Sequence, residues 1–456
     1  MKINKIELKN FKFHQNLEFE IDNNCLIYGE NGTGKSSIYE ALYSIFKIYF
    51  RNKQFSFNKF KNNSSIDELS IKVTFDNTDK LIIPNENYNL PNNIEAKNKK
   101  TIYFANQDLL ESITINNNFY ETIRTSFKNY FPTLYNFRKN FEYINSRVDS
   151  LNQAEENLKR DKNIQKMELF LKTLAEKSND IINHHFKEEF QIKFEYIWGR
   201  LNTEEYDNYK YHTPKITLKI DNKNNLKQNF NEAKLKLTSI AIFFALIKLE
   251  EDESNPIKLL VLDDFLTSLD MANRHYIIEY ILNEFDDYQK IILTHNLQFY
   301  NLILNLLKTR DEINNWDNKN IFLNIDKEAI IYNKETDYIN LAKQYLNSNS
   351  LDEAGIYLRK EFERLVEELR IINEIGAKEK LSSIINQLIK LDNTQDINIK
   401  KMQEVLKKTK FYQDTTLHST AHDDMTTDKY TKELNGTIII LNLLNKQINI
   451  LKKDKN

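Results

Sequence analysis

The sequence predicts an α/β fold around a phosphate-binding loop, with a short helical hairpin inserted in it and an all-α domain after it. Three observations predict this fold. A glycine-rich loop near the N-terminus lies between a short apolar segment and a helical pattern. A second apolar segment, far downstream, ends in two carboxylates. Helical patterns then run almost without interruption through the last part of the chain.

The composition is that of a globular chain with several domains. Its 456 residues suggest two or three domains, and 40% hydrophobic with 29% charged residues is ordinary for a soluble protein. The sequence shows neither a long apolar run nor the apolar core of a secretory signal, so we expect a cytoplasmic protein without a membrane partner. The single cysteine, Cys25, excludes a disulfide framework and a cysteine-based zinc site. A net charge of −2 means that contact with nucleic acid requires a local basic patch.

The glycine-rich loop has the pattern G-x-x-x-x-G-K-S from Gly29 to Ser36. It follows the apolar segment 24–27 and precedes a helical pattern over 37–50, which is the context that this motif requires. Its glycines let backbone N–H groups curve around a phosphate, and the helix N-terminus adds a partial positive charge. Lys35 would reach the β- and γ-phosphates, and Ser36 would offer its hydroxyl to Mg²⁺. We therefore predict ATP and Mg²⁺ as cofactors, with nucleotide contacts from Asn31, Gly32, Thr33, Gly34, Lys35, Ser36 and Ser37.

The apolar segment 258–262 supplies the second half of the predicted site. It is followed by Asp263, which fits the role of holding Mg²⁺, and Asp264, which fits the role of polarising the attacking water. A further apolar segment, 291–293, leads to His295. A lone histidine after a strand is usually structural, but this one stands where a sensor of the γ-phosphate would lie. We predict that Asp264 and His295 are catalytic.

The order of these motifs resembles that of an ABC-type ATPase of the SMC/RecF branch. The P-loop is followed by Gln107, a signature helix, the Asp263–Asp264 pair, Asp270 and His295, and residues 3–19 resemble the first two strands of that branch. The resemblance implies that Gln107 is catalytic and joins Mg²⁺ to the attacking water, and that Asp270 belongs to the nucleotide site. It also implies that two heads enclose two ATP molecules, so we expect a homodimer or a higher oligomer.

Two positions depart from the pattern of the family. Its signature, Leu-Ser-Gly-Gly-Gln/Glu, aligns with residues 230–234, where Asn231 takes the place of the serine that touches the γ-phosphate of the opposite protomer. Glu232 brings a negative charge to this site, and Lys234 is expected to offset it and to contact the nucleotide. Asp264 stands where most relatives carry glutamate. We therefore expect slow hydrolysis, or hydrolysis that requires a partner.

The predicted domains are the first lobe of the head (1–119), a helical hairpin insertion (120–187), the second lobe (188–325) and a helical C-terminal domain (326–456). The hairpin would have two arms of about 30 residues, roughly 45 Å long. It lacks a Cys-x-x-Cys tip, which argues against a zinc hook and for a compact clamp. Two interpretations of its basic residues stay open, a solvated helix face and an arm that contacts DNA or RNA. These residues are Arg138, Lys139, Arg147, Lys159, Arg160, Lys162 and Lys166.

The C-terminal domain contains a second group of candidate site residues. Arg359 and Glu363 lie four residues apart and share one face of a helix, while His418 and His422 lie in a later loop. This pattern faintly resembles HEPN-type RNases and the anticodon nucleases of phage-defence ATPases, in which histidine would move a proton and arginine would stabilise charge on phosphorus. Three alternatives are an ordinary helix salt bridge, a helical oligomerisation or docking domain, and a metal site. The metal site would be formed by His418, His422, Asp423 and Asp424.

The function that these features favour is that of a bacterial ATPase acting on nucleic acid, DNA or tRNA, in anti-phage defence or DNA maintenance. One alternative is an ATP-gated RNase that cleaves tRNA through its C-terminal domain. Another is a regulatory ATPase that docks a separate effector protein, such as a nuclease, through its C-terminal helices.

Overall fold

The computed structural model describes most of the chain, and it divides into two compact units, Met1–Ile331 and Tyr332–Asn456. The described residues are 1–51, 57–62, 68–84, 90–91, 101–115, 118–127, 131–145, 153–198, 214–251, 255–323, 328–333, 338–347, 351–376, 381–391, 397–412 and 431–455.

A four-stranded sheet opens the first unit, in the order β2-β1-β4-β5. Its strands pair antiparallel, and inward residues such as Ile6 and Leu8 alternate with more exposed ones, as expected for a sheet with one face on the core. Residues 3–19 therefore form two strands, joined by a turn in which Lys12 has a positive φ of 49°. The strands are β1 (Ile3–Phe11), β2 (His14–Glu20), β4 (Ser70–Phe75) and β5 (Lys80–Ile83).

A six-stranded sheet forms the centre of the first unit, and its pairs β11–β3, β3–β10, β10–β9 and β9–β6 are all parallel. Its strands are largely buried, and the apolar residues of segments 259–262 and 291–293 are fully enclosed, as expected for a parallel sheet with both faces covered. The strands, in spatial order, are β12 (Ala329–Asn333), β11 (Trp316–Leu323), β3 (Asn24–Gly29), β10 (Gln289–Thr294), β9 (Leu259–Asp263) and β6 (Ile102–Asn106). Since parallel strands end at one edge, Gly29, Asn106, Asp263 and Thr294 meet there.

The helices of the first unit connect these strands along the chain. The signature-equivalent residues lead into α8, which is buried along most of its length. The helices are α1 (Lys35–Arg51), α2 (Phe57–Phe60), α3 (Gln107–Ile115), α4 (Phe119–Thr125), α5 (Pro132–Asn145), α6 (Gln153–Asp180), α7 (Leu226–Asn229), α8 (Glu232–Glu250), α9 (Met271–Glu284) and α10 (Leu297–Thr309). A separate antiparallel pair, β7 (Ile192–Ile197) and β8 (Lys215–Ile220), lies in the same unit.

The predicted hairpin is formed by α5 and α6, which pack against each other, but its arms are unequal. They have 14 and 28 residues, so the expectation of two arms of about 30 residues is wrong for the first arm. The reason is that the aromatic residues before α5 belong to the main core: Phe119, Phe127 and Phe131 are fully buried. A π-helical turn, Ile181–His185, ends the second arm.

Two of the basic residues predicted on the hairpin make contacts within the first unit. Arg138 is 6% exposed, lies over the rings of Tyr120 and Tyr135, and pairs with Glu142. The guanidinium of Arg160 lies over Phe141. These two arginines are therefore poor candidates for a nucleic-acid surface. Lys139, Lys159, Lys162 and Lys166 are exposed, and Arg147 lies outside the described residues.

The second unit is helical and has its own core, formed by residues such as Leu358, Phe362 and Leu441. The second unit begins at Tyr332, where the sequence predicted residue 326, because residues 329–331 of β12 belong to the first unit. The described helices are α11 (Tyr338–Asn347), α12 (Leu351–Ile372), α13 (Leu381–Ile389), α14 (Ile397–Tyr412) and α15 (Thr431–Lys455). Across the described parts of both units, no helix combines the length and apolar character needed to cross a membrane.

Candidate functional site: the P-loop and the edge of the parallel sheet

The P-loop is a tight turn between β3 and α1. Gly32 and Gly34 have φ values of +86° and +90°, a left-handed region that favours glycine. A Cβ on Gly34 would lie 2.5 Å from the ring of His14, so this glycine is also required for space. The main-chain carbonyl of Glu30 accepts hydrogen bonds from the hydroxyl of Thr33 at 2.9 Å and from Nζ of Lys35 at 2.7 Å.

Lys35 is the buried cation of this loop, with 4% of its surface exposed. Burial lowers the pKa of its ammonium group, while Asp264 and Asp263 favour the charged form. Its bond to Glu30 lies within the loop, so the lysine can exchange a neutral carbonyl for an anionic phosphate oxygen without unfolding the loop. A charge-assisted bond to such an oxygen is the stronger of the two.

Asp263 ends β9 below the P-loop and is 6% exposed. Burial, followed by the charge of Asp264, raises the pKa of its carboxyl group to about 6, and a hydrogen bond from Ser36 opposes that rise. Among the described residues, none hydrogen-bonds to its Oδ1 atom. A buried carboxylate oxygen without a donor is costly unless a cation or water satisfies it. The carboxylate and the Ser36 hydroxyl are hard oxygen ligands, and they fit Mg²⁺.

Asp264 and His295 are in direct contact. The main-chain N–H of His295 donates to Oδ1 of Asp264 at 2.9 Å, and Nδ1 of the ring lies 2.8 Å from the same oxygen. Parallel pairing of β9 with β10 creates this contact, since Asp263 is opposite Leu293 and both strands leave the sheet shortly after these residues. Asp264 itself has a φ of +45°. The sequence predicted both residues for one site, and the structure places them side by side.

Gln107 begins α3 directly after β6, whose last residue, Asn106, is opposite Asp263. Its Nε2 donates to Glu111 at 2.6 Å, and its Oε1 accepts from the hydroxyl of Thr267 at 3.1 Å. The amide is thereby held at both ends next to the strand that carries Asp263. The sequence indicated Gln107 but gave no indication of Thr267, whose partner is 160 residues away.

The signature-equivalent residues have structural partners within this head. Asn231 caps α8, since its side chain accepts from the main-chain N–H of Lys234 at 2.9 Å. Nζ of Lys234 lies 2.9 Å from a carboxylate oxygen of Asp221 and stands over the rings of Phe190 and Phe230. The charge of Lys234 therefore neutralises Asp221, and the expectation that it offsets Glu232 is not supported within this head.

Asp270 has a similar capping role. Its carboxylate accepts from the main-chain N–H of Asn273 at 2.8 Å and caps α9. The side chain is exposed, at the end of the loop that begins with Asp264.

His14 is a residue of the site that sequence reasoning missed. It is 2% exposed, and its Nε2 lies 2.9 Å from the carbonyl oxygen of Gly34. Burial lowers the pKa of its imidazole to about 4, so the neutral ring donates to this carbonyl. Phe13, which is 37% exposed, meets the ring edge to face. The one signal in the sequence is the position of Phe13 in the turn between the first two strands and of His14 at the start of the second.

The candidate RNase residues are only partly described. Arg359 and Glu363 form an ion pair of 3.0 Å on α12, with 31% and 44% of their side chains exposed. His418 and His422 lie outside the described residues, as do Asp423 and Asp424. The resemblance to HEPN-type RNases is therefore not shown, and the ion pair is of the kind common on helix surfaces.

The fold and this site define a class. A glycine loop at the N-terminus of a helix, above two aspartates at the carboxyl edge of a parallel sheet, is the nucleotide site of a P-loop NTPase. Residues 2–316 match the family model described as the RecF/RecN/SMC N terminal domain, and the chain belongs to this family. It thus belongs to the SMC/RecF type of ATPases, with the α/β fold that the sequence predicted.

Solved structures with a similar fold include an SMC head bound to the C-winged helix domain of ScpA. The two are 12% identical over 74% of this chain and 98% of that one, with a TM-score of 0.41. The recombination mediator protein RecF with ATP is 15% identical over 65% of this chain and 92% of that one, also with a TM-score of 0.41. The SMC head domain from Thermotoga maritima is 14% identical over 73% and 99%, with a TM-score of 0.34. Among curated proteins, no sequence matches this chain.

Proposed function

We propose that this protein binds ATP with Mg²⁺ at the P-loop and hydrolyses it. The observation that carries the proposal is the buried Oδ1 of Asp263, to which no described residue donates a hydrogen bond. The carboxylate lies next to the Ser36 hydroxyl at the P-loop. A divalent cation bound to the phosphates would satisfy that oxygen. Mg²⁺ would neutralise charge on the β- and γ-phosphates as the bond to the γ-phosphate breaks.

Residues of the chain have the other roles in hydrolysis. Lys35 transfers its hydrogen bond from the carbonyl of Glu30 to a phosphate oxygen. Asp264 orients the attacking water and takes up its proton, while the contact with His295 fixes the direction of the carboxylate. Gln107, held by Thr267 and Glu111, orients water and Mg²⁺ from the other side of Asp263.

Dimerisation around ATP is the second part of the proposal. Asn231 lies at the exposed N-terminus of α8, where main-chain N–H groups and the helix dipole favour an anion. In a homodimer this terminus would meet the γ-phosphate held by the other head. The acidic first-turn residue, Glu232, weakens such a contact, and its local charge is the reason to expect slow turnover.

The biological role that we propose is that of a bacterial cytoplasmic ATPase that acts on nucleic acid, in anti-phage defence or DNA maintenance. Membership of the RecF/RecN/SMC family supports it. Exposed lysines on the hairpin, Lys139, Lys162 and Lys166, offer a local basic surface on a chain that is not basic overall. Binding through these lysines would weaken steeply with salt.

A second candidate is a regulatory ATPase that docks an effector protein through the second unit. The observation in its favour is that Ile439 and Leu443, one turn apart on α15, are 62% and 47% exposed although the described helices of this unit form a core of their own. Apolar side chains exposed on one helix face are common at protein interfaces.

The test compares ATP turnover by the wild type, Lys35→Ala and Lys47→Ala, with ATP binding measured in parallel. Lys47 lies on the same helix, over the ring of Tyr43, and serves as the matched control. We expect Lys35→Ala to abolish turnover and Lys47→Ala to leave it unchanged. Light scattering with Mg²⁺ and ATP, using Asp264→Asn to trap the bound state, should show a dimer. Turnover that survives Lys35→Ala would contradict the proposal.

A further inference from the structure

A cavity of about 320 Å³ lies between α3, which begins at Gln107, and α8, which follows the signature-equivalent residues. Its wall includes Glu111 of α3 and Glu232 and Lys236 of α8. On one side the two helices touch through the hydroxyls of Thr114 and Ser239, which are 3.2 Å apart. The helices are therefore in contact but not closely packed along their whole interface, so small shifts between them are less restricted than in a filled core.

Lys236 is the buried cation at this interface, with 5% of its surface exposed. Its Nζ donates to the hydroxyl of Thr267 at 3.3 Å. Burial lowers the pKa of its ammonium group, and the carboxylates of Glu111 and Glu232 act in the opposite direction. A lysine that is nearly enclosed between two helices is unusual unless carboxylates lie near it, and here Glu111 and Glu232 line the same cavity.

Thr267 is held in place on the loop between Asp264 and Asp270. Its carbonyl accepts from Nη2 of Arg274 at 3.0 Å, and the preceding carbonyl, that of Leu266, accepts from Nε of the same arginine at 3.1 Å. Arg274 is itself 6% exposed. The main chain at Thr267 is thus fixed, so the position of its hydroxyl is well defined.

The hydroxyl of Thr267 joins two elements at once. It has one proton and two acceptor sites, so it can accept from Lys236 while it donates to Oε1 of Gln107. The other end of the Gln107 amide donates to Glu111. A continuous series of hydrogen bonds therefore runs from α8, through the loop after β9, to the glutamine beside Asp263.

We propose that Lys236 is a positioning residue for Gln107, through Thr267, and so couples the placement of α8 to the geometry of the ATP site. Asn231 and Lys236 are on the same helix end, so a shift of α8 when its N-terminus meets the partner head moves both residues. Gln107 then adopts the orientation needed for hydrolysis only when the N-terminus of α8 contacts the partner head. The inference rests on the proposed function, since it concerns hydrolysis at the same site.

The experiment measures turnover and ATP affinity for Lys236→Met, Thr267→Val and the double variant. Methionine keeps the length of the side chain without its donors, and valine keeps the shape of threonine without its hydroxyl. Each single variant should lower kcat about tenfold or more, with the Kd for ATP changed less than about twofold. The double variant should be no worse than the more severe single variant, because both break the same series of bonds. Lys236→Arg, which keeps a cationic donor, should restore part of kcat.

Lys227→Met is the matched control, since Lys227 is exposed and lines the same cavity. It should behave as the wild type. The positioning role would be overturned if the losses of the two single variants added up in the double variant, or if Lys236→Met left kcat unchanged. It would also be overturned if Lys236→Met lowered both kcat and thermal stability and Lys236→Arg restored neither.

Failure of the proposed function is recognised separately, by turnover that Lys35→Ala does not abolish. In that case amide hydrogen exchange of segments 105–112 and 264–270 decides the positioning role without any reference to turnover. Lys236→Met should speed exchange in both segments, and Lys236→Arg should not. Unchanged exchange in both segments overturns the coupling even in a protein that does not hydrolyse ATP.

Discussion

The Nδ1 atom of His295 lies 2.8 Å from Oδ1 of Asp264, and the same oxygen accepts the main-chain N–H of His295 at 2.9 Å. One oxygen of the carboxylate is thereby engaged by the main chain of the histidine. The ring nitrogen is close to that oxygen but makes no hydrogen bond with it, so the main-chain N–H of His295 is the donor that holds the carboxylate. The pair acts as one unit, in which the histidine fixes the direction of the carboxylate.

Replacing Asp264 by asparagine tests this division of roles. The amide oxygen can still accept from the main chain of His295, so the fold around it should persist, but the negative charge that takes up the proton is lost. We expect kcat to fall about 100-fold, with the Kd for ATP changed by less than about threefold. Asp286→Asn, an exposed aspartate on the same unit, is the control. Equal activity of Asp264→Asn and the wild type would remove Asp264 from the catalytic residues.

Alanine substitutions at two glycines of the P-loop distinguish backbone strain from a steric clash. Gly32→Ala, at φ +86° with no atom within 4 Å of the added Cβ, should cost about 1 kcal/mol of unfolding free energy. Gly34→Ala adds a clash with His14 to the same strain, and should cost about 2 to 4 kcal/mol. Gly376→Ala, with an ordinary backbone and open space, should change stability by less than about 0.5 kcal/mol. Urea denaturation of the three variants measures the series, and equal costs at positions 32 and 34 would contradict the contact with His14.

His14 gives the protein a defined sensitivity to acid. Burial lowers its pKa to about 4, below the value in the unfolded chain, so the unfolded state binds the proton first as the pH falls. Its contribution to stability is complete above about pH 6.5 and decreases by about 1.4 kcal/mol per pH unit between about 6.5 and 4. His14→Gln should lack this loss while keeping a donor for the carbonyl of Gly34.

The measurement is the unfolding free energy of wild type and variant at several pH values, with the difference between the two plotted against pH. His184→Gln, at an exposed histidine on the end of the hairpin, is the control and should follow the wild type. Parallel curves for wild type and His14→Gln would show that His14 does not titrate in this window.

The second unit invites a test of the RNase hypothesis. An exposed ion pair such as Arg359–Glu363 contributes less than about 1 kcal/mol, so Arg359→Ala should fold like the wild type. If the unit cleaves RNA, expression of the wild type should create new RNA ends in cells, and these ends should vanish in both Arg359→Ala and His422→Ala. Arg370→Ala, with an ion pair to Glu367 on the same helix, is the matched control. Ends that persist in all variants, or that never form, would contradict the RNase hypothesis and leave a clamp with an inert second unit, or an oligomerisation or docking role for that unit.

Contiguous features of the site could be predicted from the sequence, and contacts across the fold could not. Residues 29–36 carry their own geometry, because two glycines, a lysine and a helix start are enough to form a phosphate loop. Asp263, Asp264 and His295 were also predictable, since each directly follows an apolar strand and parallel strands end at one edge. Thr267 and His14 were not, because their importance lies in partners that only the folded sheet brings near.

The contacts of side chains that have more than one possible partner also could not be predicted from the sequence. Lys234 follows Glu232 closely in the sequence, yet it pairs with Asp221 and lies against two aromatic rings. Similarly, Arg138 is part of a basic hairpin by sequence but is buried over Tyr120. The lengths of the hairpin arms depend on which aromatic residues the main core takes up, and local periodicity carries no information on that choice.

The place of β3 within the sheet affects how the protein is made. The strand that leads into the P-loop is β3, Asn24–Gly29, and its neighbours on both sides are β10 and β11, which are synthesised more than 250 residues later. At ribosomal speeds of roughly 5–20 residues per second, the nascent strand waits on the order of 10 to 50 s for its partners. An apolar strand with both edges open is prone to pair wrongly during that interval. A nascent chain of this protein therefore cannot bind nucleotide until β10 and β11 have been translated, and chaperones that shield exposed strands should associate with it up to that point.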